Sequence, residues 1–232
     1  MKYIVILGDG MADTPVPKLD GKTPLEAADK PYMDMLASKG EIGLVKTVPD
    51  DLPPGSDVAN LSALGYDPHK YYTGRSPLEA VSMGIKLSPG DVTFRANLVT
   101  LSDEDKYCNK KMVDYSSDEI TTAEAHELIK AVNDKLGNEI FQFYGGISYR
   151  HLLLWHGLKT QFNLTPPHDI SGKVIADYLP DNMTILRLMK ASYEILKDHP
   201  INKARVEKGL HPANSIWVWG QGSKPALPSF EE

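Results

Sequence analysis

The stretch Tyr3 to Leu7, a continuous apolar run of β-branched and aromatic residues stopped by Gly8-Asp9-Gly10, constrains the fold more than any other feature. A run with no polar alternation suits a central parallel strand buried on both faces, and so predicts an α/β sheet. The loop after such a strand lies at the sheet's carboxyl edge, where open α/β sheets bind ligands, which makes Asp9 a site candidate. Five apolar positions are too few for a signal peptide's apolar core or a membrane span.

Local patterns extend this rhythm. A short helix over Tyr32 to Ser38, closed by Gly40, leads to a second strand near Ile42 to Thr47. The stiff loop Pro49-Asp50-Asp51-Leu52-Pro53-Pro54-Gly55 delivers Ser56 to the start of a helix over Asp57 to Leu64. A further helical segment follows Pro77, with Leu78, Val81 and Met83 apolar, and ends at Gly84. Pro89-Gly90-Asp91 is a turn and marks a domain boundary. Beyond it the style becomes α+β: a strand over Val92 to Leu101, an amphipathic helix over Thr122 to Leu136, and strands over Ile140 to Tyr144 and Ser148 to Trp155. A helix over Met183 to Leu196 gathers Ile185, Leu188, Met189, Ser192, Ile195 and Leu196 on one face, and a last strand, Ser215 to Trp219, is broken by Gly220-Gln221-Gly222. The expected division is 1–91, 92–222 and a closing segment 223–232.

Charge and cysteine content narrow the partners. With 31 acidic against 25 basic residues, a net charge of −6 and no Lys/Arg-rich run, the chain lacks a nucleic-acid footprint, and its expected partners are small molecules. Cys108 is alone and cannot form an internal disulfide, which suits a reducing compartment; the expected location is the cytoplasm, away from membranes. Nothing in the sequence fixes an oligomeric state.

Several residues have the chemistry of a site. Asp9 is a hard oxygen ligand between two glycines that allow close approach, or else a turn residue without a ligand; Asp13 is a weaker candidate in the same loop. Ser56 is either a helix cap or a nucleophile whose alkoxide a divalent ion, helix amides and dipole would stabilise. Arg75 lies between two helices, while Arg95 and Arg150 sit inside apolar strands where an unpaired charge is expensive. A bidentate guanidinium fits phosphate and carboxylate, so these arginines, with Arg205, are binding candidates or structural ion pairs. His151 and the pair His168-Asp169 are further polar candidates, and Trp217 and Trp219 read as core.

Read together, Gly8-Asp9-Gly10-Met11-Ala12-Asp13, Lys22-Thr23-Pro24-Leu25-Glu26-Ala27-Ala28, Pro54-Gly55-Ser56-Asp57-Val58-Ala59-Asn60-Leu61 and Leu64-Gly65-Tyr66-Asp67-Pro68 resemble the archaeal-type, cofactor-independent phosphoglycerate mutases of the alkaline phosphatase-like superfamily. Tyr72-Thr73-Gly74-Arg75, Phe94-Arg95-Ala96-Asn97 and the run Pro212 to Gly222 extend the likeness over essentially the whole chain. The resemblance implies an α/β metalloenzyme core, here its N-terminal part, carrying an inserted α+β substrate-binding domain. It implies two divalent ions, Mn²⁺ first with Mg²⁺ or Zn²⁺ as alternatives, with Asp9 and Ser56 among the ligands. Ser56 would take the phosphoryl group of a phosphoglycerate and return it to the neighbouring hydroxyl, a glycolytic isomerisation between 3- and 2-phosphoglycerate. Arg75, Arg95, Arg150, His151, Asp169 and Arg205 would serve the substrate.

Two departures qualify the expectation. The remaining metal ligands of the family lie in a second half of the core that nothing here matches, so the expected metal site is incomplete and the chain an inactive fragment. Where the mutases carry an arginine-rich stretch, this chain has Lys110-Lys111-Met112-Val113-Asp114-Tyr115-Ser116-Ser117-Asp118. That brings forward a related branch proposed to act as a homoserine kinase; a non-catalytic phospholigand-binding module is the other alternative.

Overall fold

The computed structural model describes residues 4–8, 10–52, 54–158 and 162–230. The chain forms two compact units, Met1–Lys46 and Thr47–Glu232. The first holds helix α1 (Pro24–Ala27) and helix α2 (Pro31–Lys39). The Thr23-Pro24-Leu25-Glu26 motif is a capping box: the Thr23 hydroxyl accepts from the Glu26 amide, and the Glu26 carboxylate accepts from the Thr23 amide at 2.8 Å.

The two expected parallel strands are not formed. Residues 4–7 and 42–46 are irregular, and their apolar side chains are exposed, Ile6 by 87% and Leu44 by 105%. Tyr3 lies outside the described residues. A buried parallel strand exists only if a hydrogen-bonded neighbour lies on each side of it, and among the described residues none pairs with these segments.

The second unit starts with helices α3 (Ser56–Ala63), α4 (Pro68–Tyr71) and α5 (Ser76–Ser82). An antiparallel sheet follows, built from β1 (Val92–Leu101), β2 (Met112–Asp114), β3 (Phe141–Ile147), β4 (Arg150–Trp155) and β5 (Ser215–Ser223). Strand β1 is central: it pairs with β4 on one side and β5 on the other, β3 pairs outside β4, and β2 joins at the end of β1. Helices α6 (Thr122–Leu136) and α7 (Met183–Leu196) follow β2 and β4 in the chain, and α8 (Pro200–Glu207) precedes β5.

Period-two alternation along β1 divides its side chains between two faces. Phe94, Ala96 and Leu98 enter the main core with Leu128, Val132, Ile185 and Met189 from α6 and α7. Thr93 and Arg95 meet α5 instead: the Thr93 hydroxyl donates to the Ser76 hydroxyl at 2.9 Å, and Arg95 pairs with Glu79. A smaller apolar cluster of Ala80, Leu87, Leu152 and Leu154 holds α5 down. The arginines singled out on β1 and at the start of α5 lie on this face.

Two strand limits differ from the sequence pattern. Ser148 and Tyr149, expected within a strand, form the two-residue turn of the β3–β4 hairpin, with Ser148 at φ 53° and Ile147 paired with Arg150. Strand β5 continues through the glycines expected to break it. Gly220 takes φ 62° where the register against β1 shifts, a bulge that re-aims the strand and does not end it. Gly222 then lies under the Thr73–Pro77 segment, where a Cβ would come within 2.5 Å of Pro77 Cδ and 2.6 Å of the Thr73 carbonyl oxygen. Gly222→Ala is expected to lose about 1–3 kcal/mol from overpacking. Thermal unfolding checks it, with Gly43→Ala, which has open space around it, as the neutral control.

Candidate functional site

Helix α3 begins at Ser56 with Gly55 as its N-cap, and no side chain caps it. The capping role open to Ser56 in the sequence is therefore not the one it takes. Its exposed hydroxyl stands in the first helical turn, where backbone amides lack intrahelical partners and the dipole favours negative charge. Among the described residues that hydroxyl has no hydrogen-bond partner. The next carboxylate, Asp57, accepts from the Tyr72 hydroxyl at 2.7 Å, tying the α3 start to the segment that leads into Arg75. Burial first, and Asp57 second, push the Tyr72 phenol above its ordinary pKa.

Ser56 thus offers an oxygen suited to a hard divalent ion. Asp9, the other expected ligand, lies outside the described residues. Among the described residues one group of three metal-capable side chains occurs, Asp114, Asp118 and His211, with ligand atoms within 4.8 Å of one another. It contains neither Asp9 nor Ser56. Within it, His211 Nδ1 lies at hydrogen-bond distance, 3.0 Å, from Asp118 Oδ1.

Three of the expected arginines converge. Arg75, Arg95 and Arg150 line one cleft of about 290 Å³ with Asn97, Tyr115, Tyr149, His168 and Trp219. They come from the start of α5, the middle of β1 and the start of β4. Arg95 is only 5% exposed, and its guanidinium is held on two sides: Glu79 takes its Nη2 at 3.0 Å and its Nε at 3.2 Å, and the Trp219 ring lies 4.6 Å from it. Burial holds its pKa below the ordinary arginine value; Glu79 opposes that, and Arg75 and Arg150 add to it. Arg75 Nε stands 3.6 Å from the same Glu79, and Arg150 lies over the Tyr149 ring at 5.6 Å with no ion-pair partner among the described residues. Three guanidiniums against one carboxylate leave positive charge in excess; Arg95 is buried, whereas Arg75 and Arg150 reach solvent.

The other candidates go elsewhere. Arg205 is 2% exposed, and its donors are spent internally on Glu124 at 3.0 Å, the His211 carbonyl at 2.9 Å and the Ser117 carbonyl at 2.6 Å. His151, also 2% exposed, accepts from the Gly146 amide at Nδ1, and its Nε2 has no partner among the described residues. Burial, reinforced by His126, lowers its pKa to about 3, so the ring is neutral at ordinary pH. Asp169 is exposed beside His168, its carboxylate 3.6 Å from that ring, and does not line the cleft.

Trp219, expected in the core, lines the cleft, whereas Trp217 is buried as expected. Asn97, Tyr115, Tyr149 and Glu79 were not picked out from the sequence. The alternation Arg95-Ala96-Asn97 on β1, opposite Trp219 and Trp217 on β5, carried the signal for Asn97 and Trp219. Tyr115 comes from the segment Lys110 to Asp118. In the same segment Lys110 is buried, its Nζ donating to the Ser102 carbonyl at 2.9 Å and the Tyr193 hydroxyl at 3.0 Å.

Comparison with known proteins gives a consistent result. The family model of 2,3-bisphosphoglycerate-independent phosphoglycerate mutase matches residues 37–202. A Geobacter sulfurreducens protein named as a probable mutase of this kind is 52% identical over 235 residues, taking in 100% of this chain and 58% of that protein. The Methanosarcina barkeri 2,3-bisphosphoglycerate-independent phosphoglycerate mutase is 53% identical over 236 residues, with the same shares. Among solved structures, the cofactor-independent phosphoglycerate mutase of Thermoplasma acidophilum matches with TM-score 0.57 and 31% identity, over 95% of this chain and 59% of that one. A protein of Pyrococcus horikoshii matches with TM-score 0.69 and 29% identity, over 95% and 51%. The chain therefore spans 58% of the length of these two curated relatives.

Proposed function

The chain belongs to the 2,3-bisphosphoglycerate-independent phosphoglycerate mutase family, and from that premise we propose that its arginine cleft binds the phosphate and carboxylate of a phosphoglycerate. The fold class is that family's: part of an alkaline phosphatase-like α/β core with an inserted α+β domain. The convergence of Arg75, Arg95 and Arg150 on one cleft, with Glu79 paired to the first two alone, carries the reading. A small ligand with two anionic ends, in a cleft with excess positive charge, satisfies guanidiniums from three separate elements at once.

In this reading the full-length protein interconverts 3- and 2-phosphoglycerate. The Ser56 oxygen, its proton lost, attacks phosphorus and the bond from phosphorus to the substrate oxygen breaks, that oxygen taking up a proton; the neighbouring hydroxyl then gives up its proton and attacks phosphorus, and the bond to Ser56 breaks. A divalent metal ion held by Ser56 and Asp9, with Mn²⁺ the first choice, would stabilise the serine alkoxide. The α3 amides offer hydrogen bonds to the phosphoryl oxygens. Residues 92–222 serve as the substrate-binding insertion and 1–91 as core, in a cytoplasmic enzyme of small-molecule metabolism.

Titration with 3-phosphoglycerate followed by calorimetry tests the cleft, and a mutase assay of the full-length protein tests the reaction. Arg150→Ala, which breaks no ion pair among the described residues, is expected to weaken binding about 10- to 100-fold, the loss of a charge-assisted contact. Unchanged binding in Arg150→Ala and Arg95→Ala overturns the cleft assignment. Turnover of homoserine with a phosphoryl donor, and none of phosphoglycerate, replaces the mutase with the kinase branch.

A further inference from the structure

Glu79 is the one carboxylate that the described residues set against the arginines of the cleft. It sits one helical turn after Arg75 on α5. Its Oε1 is 3.0 Å from Arg95 Nη2 and 3.6 Å from Arg75 Nε, and its Oε2 accepts from Arg95 Nε at 3.2 Å. That side-on grip leaves Nη1 of Arg95 and both terminal nitrogens of Arg75 without a protein partner among the described residues. The far side of Arg95 is also fixed. Trp219 stacks on its guanidinium and is itself anchored by Nε1–H donating to Asn97 Oδ1 at 3.0 Å. A Cβ at Gly220 would stand 3.3 Å from Arg95 Cγ and Cδ, so the Arg95 stem is packed along the strand bulge.

A negative charge beside an anion site opposes attraction, so a cleft built for attraction alone gains nothing from Glu79. Its effect is on order: arginine side chains carry much rotamer freedom, and freezing them before the ligand arrives removes that loss from binding. We propose that Glu79 is a positioning residue, which pre-aligns Arg95 and Arg75 so that their unpartnered edges meet the ligand's anionic groups. The inference rests on the cleft reading above.

The test compares KM, kcat and thermal midpoint for the full-length protein and its Glu79→Gln variant. KM for 3-phosphoglycerate is expected to rise about tenfold, the cost of ordering two side chains on binding, with kcat little changed. In an Arg95→Lys background, which lacks the fork, Glu79→Gln is expected to add much less. Glu79→Asp keeps the charge but shortens the reach, and is expected to raise KM as well; it stands in should Glu79→Gln fail to fold. A lowered midpoint with unchanged KM makes Glu79 a structural ion pair and overturns the proposal. A fall in KM overturns it too, because relief of repulsion then dominates. If Arg95→Ala and Arg150→Ala leave KM unchanged as well, the cleft reading has failed; if they raise it and the Glu79 variants do not, only the positioning role has.

Discussion

Ser56→Ala in the full-length protein is expected to lower phosphoglycerate interconversion at least about a thousandfold, because the proposed mechanism makes its oxygen the attacking group. The same change is expected to alter stability by less than about 0.5 kcal/mol. Both halves follow from position. The hydroxyl is exposed, makes no capping bond and touches no partner among the described residues, so its removal leaves no cavity and no orphaned donor. Alanine is also a stronger helix former than serine. Rate measurement with a parallel melting curve separates the two effects. A variant retaining activity within tenfold of the parent would remove Ser56 from the chemistry, and equal losses of rate and stability would make it a structural residue.

Trp217→Ala is expected to destabilise the Thr47–Glu232 unit by about 3–5 kcal/mol, the usual range for emptying a large aromatic site in a core. Trp217 is 1% exposed within the main core, and its Nε1–H donates to the Thr165 carbonyl at 2.9 Å. The substitution therefore opens a cavity and also releases a loop carbonyl held between β4 and α7. Trp219→Ala, two residues on along the same strand, is expected to cost less stability and more ligand affinity, since that ring lines the cleft and backs Arg95. Denaturant titration of both variants checks the contrast; similar destabilisation in the two would mean that Trp219 belongs to the core after all.

The sequence was most legible where a regular period runs without interruption. The limits of β1, α6 and α7 agree with their patterns, because alternation and helical spacing express within a few residues which side will be buried. The start of α3 was legible to within a residue, since the proline-rich approach marks it, but the cap fell to Gly55 and not to Ser56. Glycine was misleading at β5, where positive φ served a bulge inside a paired strand. The apolar runs at residues 4–7 and 42–46 take no strand here, since such a pattern makes a strand only when other strands lie beside it.

Residue types at the candidate site were likewise visible, but their destinations were not. Nothing near Arg205 announces that its donors will be spent on Glu124 and two carbonyls, and nothing near His151 that its ring will be sealed in. By itself, then, the sequence determined the limits of β1, α6 and α7, the placing of Ser56 at a helix start, and the likeness to a phosphoryl-transfer family. Tertiary structure alone decided that Arg75, Arg95 and Arg150 share one cleft, that Glu79 holds two of them, and that Arg205 and His151 stand apart. The physical reason is range. Periodicity and caps act between residues a few positions apart, whereas a charge finds its partner through the pairing of strands and helices far apart in the chain.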